Sequence, residues 1–254
     1  MTKRIGLIIP SSNRMVEGEM VRHLPPGFVA HVARLRMTGA HRVEIDALIP
    51  RVAEAAAMLI DARCDVVAFH CTANSTAEGL QGEAKLLAAL RAAGAPLVTT
   101  TASAIRHALE TLAARRIVLL TPYSAQTTVE EAEFLHKAGC EVIFARGFAL
   151  KGSDEYCATP AQFWRDRAIE AARPEADAYL ISCANISVFP VIEEIEQKLD
   201  APVVTSNQAV IWHALSLLGA TLGATLGATD RRHCPGRLFD SLSPAEPARE
   251  VRAS

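Results

Sequence analysis

Two cysteines of this chain stand where a thiol can act on a small molecule. Cys71 follows the apolar run "VVAFH" and precedes "TANSTAEG"; Cys183 follows "YLIS" and precedes "ANIS". A thiolate is a soft nucleophile, suited to conjugate addition and to taking a proton from carbon. Cysteine is also one of the most buried residue types and often serves as a small core hydrophobe. Context therefore decides. Both cysteines sit where a buried strand ends and small polar residues begin. After Cys71, "STAE" (Ser75–Glu78) reads as a capping box, so a helix is expected to start just beyond the cysteine. The amides and positive end of such a helix favour a thiolate and attract carboxylates.

Other side chains gather at similar places. "PSSN" (Pro10–Asn13) follows the first apolar run, and Ser12 or Asn13 would cap the next helix while offering a hydroxyl and an amide to a carboxylate. Tyr123 follows Pro122, and a phenol at a strand end donates to an oxyanion. Thr72 and Ala184 come directly after the two cysteines and offer backbone N–H groups, with a hydroxyl added at Thr72. His70 alternates away from Cys71 along its strand. His107 and His213 lie inside helical segments and read as structural. Cys64, Cys140, Cys157 and Cys234 lack comparable surroundings and are assigned no catalytic role. The six cysteines form no CxxC pair and no zinc spacing with histidine, so no metal is expected. "GATLGATLGATD" lacks the GK[ST] ending of a phosphate loop.

The two cysteines are related by an internal repeat. "KRIGLIIPSSNRMVEGEM" lies over "RRIVLLTPYSAQTTVEEAEF", which puts Pro10 on Pro122, an offset of 112 (122 − 10). The same offset carries Cys71 to Cys183 (71 + 112) and Asp65 to Asp177 (65 + 112). Further on, Pro96–Leu109 matches Pro202–Leu215 at seven of fourteen positions with an offset of 106 (202 − 96). Two copies of one unit imply two lobes related by a pseudo-two-fold axis, with the cysteines approaching one substrate from opposite sides.

The elements that must position these residues follow from the apolar pattern. Candidate strands are Ile5–Pro10, Val66–His70, Leu97–Thr101, Ile117–Thr121, Val142–Ala145, Tyr179–Ser182 and Val203–Ser206. Most are continuously apolar, as parallel strands covered on both faces are. Helical periodicity marks Glu44–Ala62, Ala84–Ala93, Thr127–Ala138 and Phe163–Ala172. The expected fold is α/β, with two pseudo-symmetric, doubly wound parallel-sheet lobes and the active site in the cleft between them. The first lobe covers 1–112, with the 219–254 tail packing back on it; the second covers 113–218. Within that tail, "LGATLGATLGATD" (Leu218–Asp230) reads as a partly irregular connection and "SPAEPAREVRAS" as disordered.

Composition narrows the setting. The 254 residues carry 26 Lys+Arg against 28 Asp+Glu, a balance that argues against a nucleic-acid binder. A short basic patch stands at Arg231 and Arg232. No apolar run approaches the roughly 18 residues needed to cross a bilayer, and the N-terminus has no secretory pattern. The expectation is a soluble cytoplasmic protein with free thiols.

The motifs "RIGLIIPSSN", "CTANS", "TPYSAQ", "LISCANIS" and "PVVTSNQA" resemble the Asp/Glu racemase superfamily, most of all its maleate cis-trans isomerase and arylmalonate decarboxylase branch. The resemblance runs to "GRLFD" (Gly236–Asp240). It implies two pseudo-symmetric lobes, no metal, no organic cofactor and a homo-oligomer, dimer or tetramer. It implies Cys71 as nucleophile and Cys183 as general acid/base, with Asn13, Tyr123 and Asn185 holding carboxylates. The implied reaction is cis-trans isomerisation of a small dicarboxylate of the maleate type, through a succinyl-like adduct. Amino-acid racemases of the superfamily carry "DSG" and "GCTH" where this chain has "PSSN" and "SCAN", which disfavours glutamate or aspartate. The decarboxylase relatives use one cysteine, and two are present here. Two alternatives stand beside this reading: a cofactor-independent racemase or decarboxylase of an α-substituted acid, and a non-catalytic small-acid binder. The polar stretch after Cys71 departs from the apolar run expected of dedicated isomerases, and Gly79 and Gln81 are expected to reshape the pocket.

Overall fold

The computed structural model describes residues 2–37, 43–221 and 234–242. Two four-stranded sheets carry the fold. The first holds β1 (Lys3–Pro10), β2 (Phe28–Leu35), β3 (Val66–Phe69) and β4 (Val98–Thr100) in the order β2-β1-β3-β4. The second holds β5 (Arg116–Thr121), β6 (Glu141–Gly147), β7 (Ala178–Ile181) and β8 (Val203–Thr205) in the order β6-β5-β7-β8. All pairings are parallel. The second order is the first with each strand moved on by four, as a duplicated unit requires.

The register repeats as well. Ile5 pairs with Val66 and Ile117 with Ala178, each partner 112 residues on (5 + 112, 66 + 112). Asp65 and Asp177 do one job at the N-terminal edge of each sheet. Asp65 accepts from Arg4 N at 2.8 Å and Asp177 from Arg116 N at 2.7 Å. These backbone hydrogen bonds hold both carboxyls below the usual range. The later match shifts by one residue. Val67 pairs with Val98 and Tyr179 with Val203, so the fourth strands differ by 105 (203 − 98), not 106. The caps agree: the Thr100 and Thr205 side chains accept from Ser103 N and Gln208 N.

Helices cover both faces, which is why the strands read as unbroken apolar runs. In the first unit these are α1 (Val16–His23), α2 (Ile45–Asp61), α3 (Thr72–Thr76), α4 (Gly79–Ala92) and α5 (Thr101–Thr111). In the second they are α6 (Ala125–Lys137), α7 (Ser153–Ala158), α8 (Ala161–Glu170), α9 (Ile192–Leu199) and α10 (Ser206–Leu217), with a short α11 (Arg237–Asp240) in the tail. On β1, Ile8 faces a core shared with α2 and α4, while Ile5, Leu7 and Ile9 face a larger core continuous with the second sheet. α5 packs on α10 between the units, where the rings of His107 and His213 stack 4.6 Å apart.

Three expectations are corrected. β2 was not among the expected strands. It is an edge strand whose residues are mostly part-exposed, so it lacks an unbroken buried run, and only its repeat relation to β6 marks it. α4 starts at Gly79 rather than Ala84, because Gly79 and Gly82 have poor helix propensity and mask its first turn. The described part of the tail rests mainly on the second unit, not the first. Arg237 N donates to Glu196, Gln208 Nε2 to Pro235 O at 2.9 Å, and Trp212 Nε1 to Ser241 Oγ at 2.9 Å. Toward the first unit, Cys234 Sγ reaches His23 O at 4.0 Å. Most of the Leu218–Asp230 repeat, Arg231, Arg232 and the C-terminal stretch expected to be disordered lie outside the described residues.

Candidate active site

A cleft of about 270 Å³ opens beyond the carboxyl ends of β1, β3, β5 and β7. Ser12, Asn13, Cys71, Thr72, Tyr123, Cys183, Ala184 and Asn185 all line it. All eight residues assigned catalytic or binding parts from the sequence are thus brought to one place, half from each unit. No Lys, Arg, His, Asp or Glu is among the described residues that line it.

The two thiols differ in their surroundings. Cys71 is the N-cap residue of α3, so the helix begins at once and not after a capping box at Ser75. Ser75 lies inside that helix, donating to Thr72 O at 3.0 Å and accepting from Ala102 N. Asn74 Nδ2 donates to Cys71 Sγ at 3.3 Å, a bond that favours the anionic form of sulfur. Cys183 is followed by a turn, not a helix. Burial pushes its thiol up to about 12, against the opposing effect of hydrogen bonds from Tyr123 and the Asn185 N–H. A neutral Cys183 near pH 7 suits the acid/base part that the resemblance implies for it, with Cys71 as the nucleophile. Tyr123 is likewise held neutral, its acidity suppressed first by burial and then by the charge Cys183 carries once ionised.

Several polar side chains are engaged within the protein. Asn13 Nδ2 donates to Ala184 O at 2.7 Å, and its Oδ1 accepts from Met15 N and Val16 N, which caps the start of α1. Asn185 mirrors it: Oδ1 accepts from Arg14 N at 2.9 Å, and Nδ2 donates to Ser12 O at 3.4 Å. The two asparagines clasp the units together across the cleft floor. The Ser12 hydroxyl donates to Met37 O at 3.1 Å. The Thr72 hydroxyl donates to Ser206 Oγ at 2.9 Å, so its proton is engaged within the protein rather than free for the part expected of it toward substrate.

Other lining residues were not singled out from sequence, among them Asn74, Met37, Leu150, Ser153 and Tyr156. Asn74 was legible in "CTANS", three residues past Cys71 and so on the same helix face. Tyr156, on α7, carried no signal of this kind. Gly79 and Gln81, expected to reshape the pocket, lie outside it: Gly79 opens α4 with φ of 66° and Gln81 is exposed. Cys157 donates to Asn185 Oδ1 at 3.2 Å and so supports the clasp.

A buried polar layer lies behind the cleft. His70 points away from Cys71, bonding Thr101 Oγ1 and Asn207 Oδ1 at 2.9 Å each. Burial drives it down to about 4, so it is neutral. Asn207 Nδ2 in turn donates to Glu19, whose carboxyl is pushed up to about 8 by burial. Glu131 is the repeat equivalent of Glu19 (19 + 112) and accepts from Ser182, the neighbour of Cys183. The repeat aligned these two glutamates, but nothing in their types marked them as buried.

Two repeated parallel α/β units, each presenting one thiol to a shared cleft, define a two-lobed cysteine-based enzyme. A protein-family model described as arylmalonate decarboxylase matches residues 5–229, and the chain belongs to that family. It is 30% identical over 243 residues to the arylmalonate decarboxylase of Bordetella bronchiseptica, covering 94% of this chain and 97% of that one. It is 28% identical over 234 residues to a maleate isomerase of Geobacillus stearothermophilus, covering 85% and 91%. Among solved structures, the maleate cis-trans isomerase of Nocardia farcinica superposes with a TM-score of 0.81 at 25% identity, over 94% of this chain and 98% of that one, in a cysteine-to-serine variant with a covalently bound succinylcysteine intermediate.

Proposed function

We propose that this protein is a cofactor-independent cis-trans isomerase of a small dicarboxylate of the maleate type. The observation that carries the reading is the pair of unequal thiols facing one cleft: Cys71 with an amide donor on its sulfur, Cys183 buried and neutral. The isomerase relatives, and the succinylcysteine found in one of them, support the same chemistry.

In this reading the Cys71 thiolate adds to one alkene carbon, forming a C–S bond. The electron pair displaced onto the neighbouring carbon takes the Cys183 proton. The former double bond, now single, rotates. The Cys183 thiolate then removes a proton from that carbon, the C–S bond breaks, and the trans alkene leaves with Cys71 again anionic. A neutral Cys183 is the form that the first proton transfer needs. Ser12, Asn13, Asn185, Thr72, Ala184 and Tyr123 line the substrate's space. With the Asn13 and Asn185 amides holding the units together, backbone N–H groups at Thr72 and Ala184 and the Tyr123 phenol are the donors assigned to the carboxylate and to charge developing beside Cys183. We assign residues 1–112 and 113–218 to the two lobes. The described residues contain no helix long and apolar enough to cross a membrane; we place the protein in the cytoplasm and as a homodimer or homotetramer.

The decarboxylase relative favours a second reading, decarboxylation or racemisation of an α-substituted acid with the same thiols. Incubation with maleate in deuterated water, followed by NMR, separates the two. Fumarate formed by the unsubstituted protein and lost in both Cys71→Ala and Cys183→Ala is expected. No turnover of maleate, with deuterium entering the α-carbon of a chiral acid, gives the second reading instead.

A further inference from the structure

A dianion bound in this cleft meets no cation among the described lining residues, so among them neutral donors carry its recognition. The side-chain donors are largely engaged. Asn13 and Asn185 bond the backbone of the opposite unit, Ser12 bonds Met37 O, Thr72 bonds Ser206, Asn74 bonds Cys71, and Tyr123 faces Cys183. Tyr156 is different. Its side chain lines the cleft, the residue is only 5% exposed, and among the described residues its hydroxyl has no hydrogen-bond partner. A phenol that opens on the cleft without a partner in the protein keeps its O–H free to donate to a ligand there.

Its placement puts it on one wall of the cleft. The Tyr156 ring meets the Tyr123 ring edge-on, with centroids 6.1 Å apart, so both phenols stand on the second unit's wall of the cleft. α7, which bears Tyr156, is seated by Tyr156 N donating to Gly152 O at 3.0 Å. The cleft's volume of about 270 Å³ leaves room for a four-carbon diacid within reach of both walls.

We propose that Tyr156 is a substrate-binding residue whose hydroxyl donates to one carboxylate of the dicarboxylate, and that it provides selectivity for a dianion in a cleft with no cation among its described lining residues. The inference rests on the dicarboxylate reading above. The acidity of the phenol suits a permanent donor. Burial, and then the charge Cys183 carries once ionised, keeps it protonated well above its ordinary value, so it donates at every working pH.

Calorimetry with succinate tests this, because succinate is a dicarboxylate with no double bond to attack. Y156F is expected to weaken succinate binding by about ten-fold, the loss typical of one hydrogen bond to a carboxylate. Y156M, which lacks both hydroxyl and ring, is expected to lose at least as much. Unchanged affinity in Y156F overturns the proposal, as does a loss confined to Y156M, which would assign the effect to ring packing. Failure of the unsubstituted protein to bind succinate overturns it outright. Maleate turnover is scored separately. Succinate binding that depends on the Tyr156 hydroxyl, in a protein that leaves maleate unchanged, sinks the isomerase reading alone. Fumarate formation with succinate affinity indifferent to Y156F sinks the Tyr156 proposal alone.

Discussion

Asn74 shows how one side chain sets the reactivity of another. Its Nδ2 donates to Cys71 Sγ at 3.3 Å while its Oδ1 accepts from Val43 N at 3.0 Å, so the amide is held on both sides. Hydrogen bonds to a charged group are worth about 1.5–3 kcal/mol. Asn74→Ala is therefore expected to slow alkylation of Cys71 by iodoacetamide at neutral pH by about ten-fold or more. The rate is read from the Cys71 peptide by mass spectrometry. An unchanged rate would mean that the amide does not support the thiolate. Cys183 provides the contrast, since its pKa of about 12 predicts slower alkylation than that of a free thiol.

At the scale of elements, the end of β6 positions the loop that bears Tyr123. Gly147 lies so close to that loop that a Cβ there would sit 2.3 Å from Thr128 Oγ1 and 2.5 Å from Tyr123 O. The backbone of the loop must move to admit a methyl group. Gly147→Ala is expected to destabilise the protein by about 1–3 kcal/mol, the usual range for overpacking. Activity is expected to fall further than the folded fraction does, because Tyr123 is displaced relative to Cys183. Parallel measurement of thermal unfolding and kcat/KM checks both; wild-type activity in a stable variant would show that the Tyr123 loop tolerates displacement. Elements on both faces of each strand also explain why strands were legible from their unbroken apolar runs, while β2, at the sheet edge, was not.

Across the whole molecule, a buried chain of polar groups joins the two units. Glu19 on α1 meets Asn207 on α10, which meets His70 at the end of β3 and, through it, Thr101 on α5. Glu19 has an ordinary value of 4.5 and a folded value of about 8. A raised folded pKa means that the folded state binds the proton more tightly. Its contribution is present in full below about 4.5 and is lost as pH rises to about 8. Relative to Glu19→Gln, the unsubstituted protein should therefore lose stability across that window, with a limiting slope of about 1.4 kcal/mol per pH unit. Denaturant unfolding of both proteins at several pH values tests this. Parallel pH curves would show that Glu19 titrates alike in the folded and unfolded states.

The sequence by itself determined the duplication, the alternation of strands and helices, and the two cysteines 112 residues apart, because these are local patterns repeated along the chain. It also placed Ser12, Asn13, Tyr123, Ala184 and Asn185 beside them, since strand ends in a parallel sheet gather on one edge. Tertiary structure decided what each group does there. Burial made Cys183 neutral, the facing unit took up the Asn13 and Asn185 amides, Ser206 drew off the Thr72 hydroxyl, and Tyr156 came in from a short helix that no motif announced. Solvation and hydrogen-bond partners depend on residues far apart in the chain, so local pattern names the groups at the site but leaves their chemistry to the packed molecule.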